Sequence, residues 1–187
     1  SMETIKLNLD MANEAKPFAV SLVIDSAGLP HLKKANPDAG CKSAEQLLEL
    51  CGYAKMPVII KGVMTVRGAE KAAAAGAAAI VVSNHGGRVL GGSAATAEVL
   101  PEIVDAVGGR VKIIVDGGIR SGTDIFRALA IGADAVMICR PFLISYYGGR
   151  TEGIVSYIEK LRAELKDTMY MCGARKISDI DRSMIRF

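Results

Sequence analysis

The chain has 187 residues, half of them apolar, with a mean hydropathy of +0.28 and a formal net charge of +3 at neutral pH. That length supports one domain with a real core, and that composition excludes disorder, which needs low hydrophobicity and high net charge. The small charge is scattered, with no Lys/Arg-rich run, no aromatic interleaving and no Trp, which argues against a nucleic-acid surface.

The first ten residues, SMETIKLNLD, alternate polar and apolar and lack the hydrophobic centre of a signal peptide. Ser1 ahead of Met2 reads as a cloning remnant, so residues 1–16 are expected to be an N-terminal segment or remnant. Residues 17–187 form one domain.

Short Val- and Ile-rich runs then recur at Phe18 to Ile24, Val58 to Ile60, Ala79 to Val82, Val111 to Val115 and Ala135 to Ile138. They are continuous and not alternating, as strands of a parallel sheet are when both faces are buried. Helical stretches lie between them: Ser43 to Cys51 with Ser43 as cap, then Ala-rich Thr65 to Ala75. Thr96 to Val107 and Thr123 to Ala130 each open on Thr, and Asp124 suits a first turn. Glu152 to Leu165 reads as the longest helix. The most apolar stretch, Ala72 to Val82, is shorter than the ~20 residues that span a bilayer. Alternating strands and helices predict an α/β fold with a parallel sheet.

VIIKGVMTVRGAEKAAAAGAAAIVVS resembles KIIVDGGIRSGTDIFRALAIGADAVMIC, so the chain repeats a two-step βα unit. Lys61 and Asp116 fall at equivalent strand ends, as do Ser83 and Cys139. A duplicated βα unit is what a β/α barrel is built from, and its active site forms at the C-terminal strand ends. Those ends supply Asp25, Lys61, Ser83-Asn84-His85, Asp116 and Cys139-Arg140.

Three clusters there can carry chemistry. Asp116-Gly117-Gly118-Ile119-Arg120 joins a strand to a helix; bare backbone N–H groups, the helix terminus and Arg120 would cradle a phosphate, with Arg140 as a second contact. The same glycines could instead serve only a tight turn. Lys61 ends a buried strand and needs an anion or an electron-rich ring, or a structural partner in Asp116 or Asp25. His85 sits in a glycine-flanked turn three residues before Arg88, a base beside a carboxylate-binding cation, which suits proton abstraction from a hydroxy acid. His31, after Gly28 and Pro30, reads as a loop residue. Cys41, Cys51, Cys139 and Cys172 have no zinc or redox spacing, so reduced thiols and no metal are expected.

SNHGGR, the following Ala-Thr and Leu-Pro-Glu-Ile, DGGIRSGTD, ALAIGADAV and a strand ending in Arg-Pro together resemble the FMN-dependent α-hydroxy-acid oxidase and dehydrogenase family, from about Pro57 to Gly173. The resemblance implies a (β/α)8 TIM barrel, FMN as cofactor, and oxidation of a small L-2-hydroxy acid to the 2-oxo acid. It implies that His85 is the base, Arg88 holds the substrate carboxylate and Lys61 faces flavin N1 and O2. It further implies that Ser83 contacts the isoalloxazine, while Asp116, Gly117, Gly118, Ile119, Arg120, Cys139 and Arg140 form the phosphate and ribityl site. Cys139 stands where the family has glycine, and VLGGSAAT replaces a segment that carries Gln-Leu-Asp. The family's second carboxylate-binding arginine and its tyrosines have no counterpart here.

A whole barrel takes about 250 residues. This chain corresponds to strands four to eight, and an open half-barrel exposes two strand edges. Cover by the N-terminal segment, a homo-oligomer or a completing chain is therefore expected, in a cytoplasmic protein with no membrane span. Two other readings compete: an inactive phosphate- or FMN-binding fragment, and another FMN barrel such as a relative of type 2 isopentenyl diphosphate isomerase.

Overall fold

The structure, a computed structural model, describes residues 1–25, 34 and 40–186; the expected loop at His31 lies outside them. Five strands, β1 (Val20–Val23), β2 (Val58–Val63), β3 (Ala79–Val82), β4 (Lys112–Val115) and β5 (Ala135–Val136), form one sheet in sequence order, every pair parallel. The helices are α1 (Met2–Ala15), α2 (Ala44–Tyr53), α3 (Val66–Ala74), α4 (Thr96–Val107), α5 (Gly122–Ile131) and α6 (Arg140–Met171). Neighbouring parallel strands joined through helices make the wall of a β/α barrel, and the five strands form part of one.

The strand bounds differ from expectation for local reasons. β1 is shorter at both ends, and Phe18 is left exposed. β5 keeps only Ala135–Val136, because it is paired on one side alone; beyond it Met137 N still donates to Val115 O at 2.9 Å. β2 runs on to Val63 through an irregularity between Lys61 and Val63. Only β3 is buried along its whole length; β1, β2 and β4 alternate, so burial on both faces holds for the central strand and not for the others.

One core forms where α2 to α5 cover the sheet, around Ile60, Ile80, Val82, Leu100, Ile103, Val107 and Ile113. Fully burying such a side chain contributes roughly 1.5–3 kcal/mol. The caps follow the hydroxyl residues: Ser43, Thr65 and Ser121 accept from the N–H of Gln46, Gly68 and Asp124. Thr123 is therefore inside α5 and Ser121 is its cap. Thr96 is also not a cap, since Ala95 holds that place with no side-chain bond. The last helix is far longer than Glu152 to Leu165, two helical segments joined at Gly149 and Arg150. The N-terminal segment is helical and docks on α2: Leu9 is buried, Tyr53 donates to Asp10 at 2.8 Å and Lys55 N to Asn13 at 2.9 Å.

A second apolar cluster, Phe126, Ala130, Met169 and Ala174, binds α5 to α6. At the same contact Gly122 N donates to Glu164 Oε2 at 2.8 Å, and a Cβ on Gly122 would overlap the backbone of Glu164 and Leu165. Gly122→Ala is therefore expected to cost about 1–3 kcal/mol through forced separation of the helices, read as a lower urea midpoint with unchanged slope.

Candidate active site

The C-terminal ends of the strands converge on one ion cluster. β2 places Lys61 opposite Val23 of β1 and Val81 of β3. Its ammonium donates to Ser83 Oγ at 2.8 Å and lies 3.3 Å from Asp116 and 4.0 Å from Asp25. These side chains are mostly buried, with 12% of Lys61, 11% of Asp25 and 16% of Asp116 exposed. Lys61 thus meets both of the structural partners considered for it. Gly62 makes the arrangement fit: it has φ +106, and a Cβ there would come within 2.6 Å of the Asp25 Cβ. Only glycine lets β2 bend beside Asp25 without strain.

Ser83 is fully buried behind the lysine and is not on the cavity wall. Its hydroxyl accepts from Lys61 and also from His85 N at 3.1 Å. His85 follows in a short turn, His85–Gly87, with φ +56, a left-handed conformation that costs a non-glycine residue energy. Asn84 closes that turn by accepting from Gly87 N at 3.1 Å and holds its far side by donating to Ala94 O at 3.1 Å. The His85 ring nitrogen Nδ1 lies 3.1 Å from Asp25 Oδ1. With the proton on Nδ1 shared with the carboxylate, Nε2 carries a lone pair, and Asp25 stabilises the imidazolium when Nε2 takes a proton.

A cavity of about 240 Å³ joins these groups, lined by Lys61, His85, Arg88, Asp116 to Arg120 and Met137 to Arg140. Of the strand-end residues singled out in the sequence, Lys61, His85, Asp116, Cys139 and Arg140 line it, and Asp25, Ser83 and Asn84 do not. Arg120 and Arg140 are exposed, and among the described residues their guanidinium groups bond only to backbone carbonyls, those of Ile119 at 2.8 Å and Gly86 at 3.3 Å. Arg88 is exposed on the rim and has no ion-pair partner among the described residues. The cavity is therefore cationic on the Arg side and carboxylate-lined beside Lys61.

Two features escaped the sequence reading. Asp25 was visible as a strand-end carboxylate, but its pairing with His85 spans 60 residues and no spacing rule reaches that far. Thr96 read as a helix cap, whereas its hydroxyl donates to Asp116 O at 2.7 Å and approaches Gly117 O at 3.3 Å.

A model of the family described as FMN-dependent dehydrogenase matches residues 18–187, which extends the resemblance from Pro57 back to Phe18. The chain belongs to that family. It is 44% identical over 132 residues to a peroxisomal (S)-2-hydroxyacid oxidase of Arabidopsis thaliana, covering 71% of this chain and 36% of the relative. It is 47% identical over 130 residues to an L-lactate oxidase of a Nostoc species, covering 70% and 36%. The crystal structure of a mandelate oxidase superposes with a TM-score of 0.87 at 30% identity, over 95% of this chain and 60% of that one. A mandelate oxidase variant carrying an FMN adduct gives 0.86 at 32%, over 97% and 60%. The chain thus spans just over a third of these curated relatives and about three fifths of the solved structures.

The ion cluster yields a direct test. Lys61→Met removes the cation from two mostly buried carboxylates, and the expected loss of stability is about 3 kcal/mol, measured by urea unfolding.

Proposed function

We propose that this chain carries the catalytic half of an enzyme that oxidises a small L-2-hydroxy acid to the 2-oxo acid, with FMN as its cofactor. The observation that carries the proposal is one cavity lined by His85, Arg88, Lys61 and the glycine-arginine loop, with Asp25 bonded to the His85 ring. The residues fit a flavin mononucleotide on grounds internal to the structure. Asp116 Oδ1 and Asp25 Oδ2 are buried and accept no hydrogen bond among the described residues, so the site asks for donors such as ligand hydroxyls. Nothing lies within 4 Å of the place a Gly118 Cβ would take, so a ligand can reach that backbone.

When bound, FMN supplies an acceptor for two electrons. Arg120, Arg140 and the N–H groups of the Gly117–Gly118 loop would hold its phosphate, and Asp116 a hydroxyl of its ribityl chain. Lys61 would stand where negative charge collects on reduction, held in place by Ser83. Cys139 lines the same cavity beside Arg140. Arg88 grips the substrate carboxylate and so fixes the α-carbon near His85. His85 Nε2 takes a proton from the substrate, and Asp25 stabilises the charge that results. The hydroxy acid thus gives up two electrons and two protons, one proton to His85 and the other to the two-electron acceptor along with the electrons, and its C–O single bond becomes the carbonyl of the oxo acid.

The substrate class is supported by the relatives, which are named for 2-hydroxy acids, lactate and mandelate. The competing isopentenyl diphosphate isomerase reading has no support among them. No helix among the described residues is long and apolar enough to cross a membrane. The four free cysteines support a reducing, cytoplasmic setting.

The open strand edges are proposed to be covered in a homo-oligomer or by a completing chain or segment. The outer edges of β1 and β5 have no strand partner among the described residues, and Met137, Leu143, Ile144 and Tyr147 are exposed. For the homo-oligomer, solution scattering is expected to give a particle larger than one 19.7 kDa chain, and a monodisperse monomer contradicts it.

For the reaction, the chain reconstituted with FMN under anaerobic conditions is expected to lose its visible flavin absorbance on addition of lactate, glycolate or mandelate. His85→Ala is expected to slow that bleaching by roughly 10²–10⁴-fold. Bleaching at an unchanged rate in this variant would falsify the assignment of the base.

A further inference from the structure

We propose that Thr96 is the positioning residue of the phosphate cradle: its hydroxyl holds the Asp116–Gly117–Gly118 backbone in the orientation that presents two N–H groups to an anion. The proposal rests on the reading above, in which this loop receives the phosphate of the flavin.

Thr96 and Ser83 are the two buried polar side chains among the described residues, with 4% and 0% exposed. Burying a hydroxyl is costly unless it is hydrogen-bonded. Thr96 does not bond to its own helix; it stands at the first position of α4, one residue past the capping place that Ala95 holds. The start of α4 is closed by Glu98 instead, which accepts from Ala95 N at 2.8 Å. The threonine hydroxyl is therefore spent across the fold, on the carbonyl of Asp116 at 2.7 Å and, more weakly, on that of Gly117 at 3.3 Å. One proton serves both, so the bond is bifurcated and the shorter arm dominates.

The consequence follows from peptide geometry. The peptide bonds here are trans, and in a trans peptide the C=O and the following N–H point in opposite directions. Carbonyls drawn to Thr96 turn the N–H groups of Gly117 and Gly118 to the opposite side. Among the described residues no group accepts from either N–H. Both glycines have left-handed backbones, φ +81 and +89. Such a pair is loose by nature, since glycine loses more freedom on ordering than any other residue. A tether applied in the empty loop reduces what an anion must otherwise order on binding. The place of a Gly117 Cβ lies 3.5 Å from both Thr96 Oγ1 and Asn84 Oδ1, so the tether grips the back of the loop and leaves its front free.

The test compares ligands that differ only in the phosphate. FMN and riboflavin are titrated into the full chain by flavin fluorescence, and inorganic phosphate is titrated while the amide signals of Gly117 and Gly118 are followed by NMR. Thr96→Val keeps the shape and removes the hydroxyl; it is expected to weaken FMN and phosphate about tenfold, the effect of one lost hydrogen bond at a charged ligand. Riboflavin affinity is expected to stay within about twofold, well inside the value of one hydrogen bond. Thr96→Ser keeps the hydroxyl and is expected to restore FMN affinity, while Thr96→Ala repeats the loss should the valine variant not fold.

Unchanged FMN affinity in the valine variant overturns the proposal, and so does an equal loss of FMN and riboflavin, which marks a merely structural residue. Should the chain bind phosphate at Gly117 and Gly118 but no flavin, the flavin reading falls. The tether then stands or falls on the phosphate titration of the variants. An absence of any phosphate response at those two amides in the unaltered chain overturns it outright.

Discussion

The Lys61 ammonium, 3.3 Å from Asp116, 4.0 Å from Asp25 and 2.8 Å from the Ser83 hydroxyl, ties together the side chains at the ends of four strands. The lysine and both carboxylates are mostly buried, and each lies within ion-pair distance of an opposite charge, which offsets the cost of taking it out of water. Asp25 then anchors the His85 ring, Ser83 anchors the His85 backbone, and Asp116 begins the glycine loop. His85, Lys61 and the glycine loop are therefore one connected unit. A change at any member is felt by the others, so the effects of paired substitutions here are not expected to add.

Much of this was legible in the sequence because it depends on local periodicity. Apolar runs ending in polar residues marked the strand ends, and the internal repeat placed Lys61 and Asp116 at matching positions. The helix between Thr96 and Val107 has the bounds its composition implied. What was not legible depends on contacts distant in the chain. The uniform apolar runs implied burial on both faces, yet only β3, the middle strand of the five, is buried at every position. Ser83 carried the expected polar character, but its distance from the cavity wall is set by the Lys61 side chain folding over it. Thr96 has the right residue type for a cap and a different use, because the loop after β4 happens to lie within reach of its hydroxyl.

The cavity is asymmetric in a way that suits its proposed ligand. Cations stand along the loops after β3, β4 and β5, while the carboxylates and His85 cluster beside Lys61. An elongated ligand with a dianion at one end and an electron-accepting ring at the other matches that division. The substituted loop after His85, with Leu90 exposed to solvent, runs from the His85 turn to Thr96 beside the glycine loop, so it adjoins both ends of the site.

The central claim is that this cluster of strand ends is a flavin site organised by Lys61. A crystal structure of the chain grown with FMN tests it most directly. The account predicts the phosphate against Gly117, Gly118, Arg120 and Arg140, and the ring against Lys61. Flavin density elsewhere on the molecule, with Lys61 still closed on its two carboxylates and the cradle filled by solvent, would contradict it.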